Sequence, residues 1–311
     1  MPFELAQINQ NAKKNPEAFA QECELAYNKE VQDAAKQLAE RVNDSRIAFL
    51  SGPSSAGKTT TAKKICAELK RYSIHAHTIS MDNYFLTLTP ETTPRTPEGD
   101  YDRESPDIVD AALLNEHAKK LERGEEILKP YFNFKTQSRD MSRAVSIKLG
   151  PGEIVIFEGI HALNPALTGE NPDSLKIYIS TGSDVTKDGE SFFKHYWKRL
   201  MRRVVRDEQY RATDALETLT MWPTVRRGEE MYISPFKHTA DILVDSSMPY
   251  EISVLKPLAL KAFATVPAGA DPSGELAAML PALHEFEEIS TKVVPTDSIL
   301  REFIGGGIFR Y

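Results

Sequence analysis

Gly52-Pro53-Ser54-Ser55-Ala56-Gly57-Lys58-Thr59-Thr60 is a complete G-x-x-x-x-G-K-[ST] loop, and its flanks decide how it must be read. Before it, Ile47-Ala48-Phe49-Leu50 is a short apolar run that reads as a buried strand. After it, Thr60–Arg71 reads as a helix. In that setting glycines let backbone N–H groups turn inward around a polyphosphate, and the helix N-terminus adds partial positive charge. Lys58 reaches the terminal phosphates and the Thr59 hydroxyl can hold Mg²⁺. Gly52, Ser54, Ser55, Ala56, Gly57, Lys58, Thr59 and Thr60 are therefore the expected contacts of a nucleoside triphosphate. The alternative is a Gly/Ser turn with no ligand, and strand before with helix after speaks against it.

From Arg46 onward short apolar strands alternate with helical stretches. The expected strands are 46–50, 75–80, 153–157, 176–180 and 241–245. Strands separated by helices imply an α/β fold with a mostly parallel sheet and helices on both faces. In such sheets ligands sit beyond the carboxyl ends of the strands. Residues 1–45 carry a helical pattern through Phe19, Leu25, Val31, Leu38 and Val42 and read as an N-terminal appendage. Residues 46–250 form the core, and 251–311 a helical extension with a Pro/Gly linker at 267–274. Residues 86–106 read as a long excursion, and 181–190 as a mobile loop before a basic helix.

Two carboxylates follow strands. Asp82 lies just past the second, and Glu158 ends the third. Mg²⁺ needs hard oxygen ligands, and phosphoryl transfer needs a group that orients and deprotonates the attacking hydroxyl. Asp82 is the candidate base, and Thr59, Glu158 and Asp82 are the candidate metal ligands. A helix N-cap is the plain alternative for Asp82.

In 191–211, Arg199, Arg202, Arg203 and Arg206 share one face, with Phe193, Trp197, Leu200, Met201, Val204 and Val205 opposite. Four guanidiniums on one stripe repel unless anions lie among them, and arginine suits forked phosphate contacts. The segment at about 181–211 is expected to close as a lid, with Arg199 and Arg202 acting with Lys58 and Asp82 in catalysis and Arg203 and Arg206 holding nucleotide. A solvated basic face is the alternative.

Composition narrows the class. Of 311 residues 41% are hydrophobic and 27% charged, ordinary for a globular chain, and the net charge of −7 disfavours a nucleic-acid binder. Cys23 and Cys66 have no metal-ligand spacing and suit a reducing compartment. No run approaches the ~20 apolar residues of a membrane span. The expectation is a cytoplasmic protein acting on a small molecule, with no nucleic-acid or membrane partner and with a homo-oligomer left open.

These motifs together resemble the uridine kinase and phosphoribulokinase family of P-loop kinases. The likeness runs from about Arg46 to Tyr250 through the Gly52–Thr59 loop, Met81-Asp82-Asn83-Tyr84-Phe85, Pro106-Asp107, Phe132-Asn133-Phe134 with Ser138-Arg139, Phe157-Glu158-Gly159-Ile160, Arg199-Leu200 through Arg206-Asp207, and Thr239-Ala240-Asp241. Met221–Glu229 and Ser298–Gly306 are similar to bacterial uridine kinase-like proteins. The resemblance implies a P-loop kinase fold with a helical lid, ATP and Mg²⁺ as cofactors, and phosphorylation of a nucleoside 5′-hydroxyl. It implies Asp82, Tyr84, Glu104, Phe132, Gln137 and Arg139 as acceptor contacts. At three of these positions the chain departs from uridine-cytidine kinases. Phe132 replaces a tyrosine, Gln137 a histidine and Glu104 an aspartate, so base recognition is altered while the transfer machinery is kept.

Two alternatives stay open: another alcohol acceptor, such as a sugar phosphate or pantothenate, or a nucleotide-binding regulator with little turnover. Against a GTPase switch, the chain has no Asn-Lys-x-Asp after the loop. Against an AAA-type motor, Glu158 is followed by Gly159 where such motors usually carry Asp-Glu.

Overall fold

Five strands form the central sheet in the computed structural model, which describes residues 3–309. They are β1 (Ile47–Ser51), β2 (Ala76–Ser80), β3 (Ile154–Glu158), β4 (Leu175–Ser180) and β5 (Ile242–Asp245). All pair in parallel in the order β5-β4-β1-β3-β2. Their bounds differ from the expected runs by a single residue at each end where they differ at all. Every residue of β1 and β3 is buried, as a sheet covered on both faces requires.

Alternation along the strands assigns each side chain to one of two cores. Ala48 and Leu50 of β1 and Ile154 and Ile156 of β3 face one; Ile47, Phe49, Val155 and Phe157 face the other. Phe49 and Phe157 are register partners, and their rings stack at 5.5 Å. The first core is closed by α1 (Leu5–Lys14), α2 (Pro16–Glu40), α3 (Lys58–Leu69), α5 (His195–Tyr210), α6 (Ala215–Gly228), α7 (Glu251–Phe263) and α8 (Leu276–His284); the second by α4 (Ala111–Glu122).

α2 starts sharply because the Asn15 side chain accepts from Ala18 N at 3.0 Å and Pro16 occupies the first turn. It then lies along α3, where Tyr27 and Thr61 hydroxyls meet at 2.6 Å. The chain end also returns to this core, with Ile299, Leu300 and Phe303 fully buried.

One expectation is corrected. Residues 181–190 are not a loose loop: Val185–Lys187 and Glu190–Phe193 form an antiparallel hairpin, and Phe3–Glu4 adds a parallel strand to it. Asp188 (φ 54°) and Gly189 (φ 83°) make its turn. Positive φ at both central positions is what a two-residue hairpin of matching twist needs, and Asp-Gly supplies it. The helix that follows, α5, docks against α7 and the 301–304 turn.

Candidate active site

The loop after β1 is held so tightly that two positions exclude a side chain. A Cβ at Gly52 would lie 2.2 Å from the Ile179 carbonyl oxygen, and one at Gly57 2.2 Å from Ile299 Cδ1. Gly57 also has φ +87°, left-handed backbone that favours glycine. Ser246 Oγ donates to the Ala56 carbonyl at 2.7 Å. Lys58 curls back so that its Nζ donates to the Pro53 carbonyl at 3.1 Å. Burial draws its pKa down, while Glu158, Asp82 and Glu302 pull it up.

The strand ends bring the carboxylates to that ammonium. Asp82 sits in the 3₁₀ turn Met81–Tyr84 that leaves β2. Gly159 lets that turn approach, since a Cβ there would lie 2.8 Å from Met81 Cβ. Burial raises the Asp82 pKa against the pull of Lys58, Arg211 and Arg206. Glu158 is pushed up to about 7, first by burial and then by Asp82. Thr59 Oγ1 donates to Glu158 Oε1 at 3.3 Å. Two carboxylates that oppose each other's ionisation, beside a hydroxyl, are a hard-oxygen donor set that fits a divalent cation.

A third carboxylate closes the other side. The excursion 86–106 is pinned at the buried Asp102, which takes Arg227 Nη1 at 2.9 Å and the Tyr232 hydroxyl at 3.1 Å. Asp102 Oδ1 accepts from Glu104 N at 3.2 Å. Glu104 then lies against Gly228, where a Cβ would be 2.4 Å away. Its pKa rises to about 7 by burial, against Arg203 and Lys58, and Asp102 and Asp82 add to the rise. Its Oε2 is buried without a hydrogen-bond partner. Next to it His161, 2% exposed, has neither ring nitrogen in a hydrogen bond of normal geometry. Burial lowers its pKa to about 4, although backbone groups of Glu104 and Tyr232 draw it back. Buried polar atoms are nearly always paired, so two orphaned groups side by side mark a place for a ligand.

The arginine stripe divides in two. Arg199 pairs with Glu229 and donates to the Ser54 carbonyl at 3.2 Å; Arg202 donates to Glu251 Oε2 at 2.6 Å and to the Ser246 carbonyl at 2.8 Å. Both are wholly buried. Arg203 Nη1 meets Ser54 Oγ at 2.8 Å, and Arg206 acts on Lys58 and Asp82. The anions among the four guanidiniums are thus protein carboxylates, including Asp207 at 3.4 Å from Arg203 and 2.7 Å from Arg206.

A model of the phosphoribulokinase / uridine kinase family matches residues 47–253, two thirds of the chain. The chain belongs to that family. Among curated relatives, a uridine kinase of Brevibacillus brevis is 29% identical over 199 residues, covering 63% of this chain and 82% of that protein. Uridine-cytidine kinase 2-B of Danio rerio is 27% identical over 220 residues, covering 67% and 77%. A solved structure of a possible uridine kinase from Bacillus stearothermophilus overlaps at a TM-score of 0.41 and 17% identity, over 70% of this chain and 100% of that one.

In this P-loop kinase, Lys58, Thr59, Asp82, Glu104, Glu158, Arg203 and Arg206 converge. The other expected acceptor contacts lie outside this cluster, in the segments that pack around the Asp82 turn. Tyr84 is wholly buried, and its hydroxyl meets His117 Nδ1 at 3.0 Å inside the second core. Arg139 is held by Asp110 at 2.8 Å and by the Tyr84 and Phe85 carbonyls at 3.0 and 3.3 Å, so it braces the loop beyond Asp82. Phe132 is buried edge-on against Phe85 and Phe134, leaving Phe134 exposed. Gln137, at φ +52°, donates to the Phe134 carbonyl at 2.6 Å. Phe132–Asn133 pairs antiparallel with Ser138–Arg139, and this hairpin is tied to the Asp82 turn where Asn83 Oδ1 accepts from Phe132 N at 3.4 Å. Sequence reasoning missed His161, Arg211 and Glu302, whose Oε2 accepts from Thr60 Oγ1 at 2.6 Å. Among the described residues no helix is long and apolar enough to cross a membrane.

Proposed function

We propose that the protein transfers the γ-phosphoryl group of ATP to the 5′-hydroxyl of a nucleoside. The observation that carries this is the meeting of Asp82, just past the end of β2, with Lys58, Arg206 and Glu104, whose charges act on one another. Asp82 accepts the hydroxyl proton as the new O–P bond forms and the bond to the β-phosphate oxygen breaks. Lys58 exchanges the Pro53 carbonyl for the terminal phosphates, and Arg203 and Arg206 offset charge on the transferring group. Thr59, Glu158 and Asp82 would hold Mg²⁺, which would supply neutralisation of phosphate charge. Glu104 accepts hydrogen bonds from the ribose hydroxyls, and neutral His161 provides a further polar contact at the same wall. The exposed Phe134 ring offers a face for the base, and Gln137 a donor and acceptor for its edge. The acceptor class follows the uridine and uridine-cytidine kinases to which the chain is similar.

The test is ADP release over a panel of ribonucleosides, 2′-deoxynucleosides, sugar phosphates and pantothenate. Ribonucleosides should turn over, and Glu104→Ala should raise their KM by at least ~10-fold with the KM for ATP little changed. Turnover confined to sugar phosphates or pantothenate would move the acceptor, and none at all would make the protein a regulator.

A further inference from the structure

At the end of the sheet opposite the phosphate loop, His75-Ala76-His77 enters β2 and sets two imidazoles on one face of extended chain. Their rings meet edge to face at 4.7 Å. Glu153, in the turn leading into β3, faces both. Its Oε1 lies 3.0 Å from His75 Nδ1, and its Oε2 3.1 Å from His77 Nε2. One ligand atom from each residue can be chosen so that all lie within 4.8 Å of one another. The carboxylate is itself oriented, since Gly150 N donates to Oε2 at 2.8 Å and Arg46 Nε holds the Glu153 carbonyl at 3.0 Å.

We propose that His75, His77 and Glu153 form a Zn²⁺ site, with two imidazole nitrogens and a carboxylate oxygen as ligands and water in the fourth position. Ligands of a tetrahedral Zn²⁺ at its usual bond lengths stand about 3.3 Å apart; the two His–Glu separations are already within a few tenths of an ångström of that, and the set as a whole, within 4.8 Å, closes on the ion by side-chain shifts of at most about 1.5 Å. Imidazole nitrogen suits Zn²⁺, Cu²⁺ or Ni²⁺ and not Mg²⁺ or Ca²⁺, which keeps this site distinct in chemistry from the oxygen-lined one at Thr59. Glu153 is held near pKa 2 by the Gly150 backbone and the two histidines and is ionised at neutral pH. The site is open: β2 is the sheet's edge strand, and the side chains of His75, His77 and Glu153 are 58%, 30% and 26% exposed. Gly150 N and Arg46 already play the part of outer-shell groups that fix a ligand's direction. Arg46 and Lys148 line the adjoining cleft and weaken cation binding, although the Arg46 guanidinium is engaged by the Gly150 and Glu153 carbonyls. As exposed ion pairs alone, the two His–Glu contacts contribute little to stability.

The test is calorimetric titration of the full chain with Zn²⁺ in excess Mg²⁺, which occupies the oxygen-lined site, with Co²⁺ absorption as a second probe of low-coordinate nitrogen ligation. One Zn²⁺ per chain is expected. His75→Ala, His77→Ala and Glu153→Gln should each weaken binding at least ~10-fold, since even outer-shell changes cost that much. Thermal denaturation of each variant verifies folding, and kinase turnover should be unchanged. Absent Zn²⁺ binding, or equal affinity in the folded His75→Ala/His77→Ala protein, would overturn the site.

Discussion

Glu158 joins burial, a neighbouring Asp82 and a pKa of about 7 in one side chain, and this has a measurable sign. Its folded pKa lies above the unfolded 4.5, so its contribution favours folding below the unfolded value and is lost as pH rises through about 7. Glu104 behaves alike, whereas His161, lowered from 6.5 to about 4, favours folding at higher pH. Wild type should therefore lose stability relative to Glu158→Gln between pH 5 and 8 without Mg²⁺, and recover it when Mg²⁺ is added at pH 8. Urea denaturation across pH reads this, and a flat difference would contradict it. Asp82 and Glu158 were legible in the sequence because a strand's end announces them. His161 was not, because nothing local distinguishes a histidine awaiting a ligand from one packed in a core. Glu302 reaches Thr60 across 242 residues, a contact no local pattern carries.

At the scale of elements, β1 and β3 were readable because both faces are buried and each becomes an apolar run. The 185–193 hairpin was misread from its polar composition; Asp188-Gly189 was the signal, and its pairing with Phe3–Glu4 is nonlocal. The amphipathic period of α5 was visible, but its partners Glu229 and Glu251 stand on other elements. This divides the stripe experimentally. Arg202→Ala leaves the wholly buried Glu251 with Lys198 at 4.0 Å and the Met248 N–H at 3.1 Å but empties its Oε2, and should cost about 3 kcal/mol in denaturant unfolding. Arg206→Ala leaves Asp207 with Arg203 and Arg211 at 3.4 and 3.6 Å, so it should unfold near wild type and lose at least ~10-fold in kcat. Equal stability of the two variants would return Arg202 to the ligand-facing group.

Across the whole molecule, parallel strands deliver the loop, Asp82 and Glu158 to one edge, and distant segments complete that edge. The excursion brings Glu104, and the chain end brings Ile299 onto Gly57 and Glu302 onto Thr60. The segment 254–309, outside the family match, is thus built against the phosphate-binding loop. The phosphate-binding loop was legible because its motif is local, while the wall of Glu104 and His161 is assembled from loops far apart in sequence. The most direct measurement is transfer of labelled γ-phosphate from ATP to a ribonucleoside by wild type and by Asp82→Asn. The account predicts labelled nucleoside 5′-monophosphate from wild type and a loss of at least ~100-fold in the variant, with ATP binding kept within a few-fold. Undiminished transfer by Asp82→Asn, or label passing to water at one rate with and without nucleoside, would contradict it.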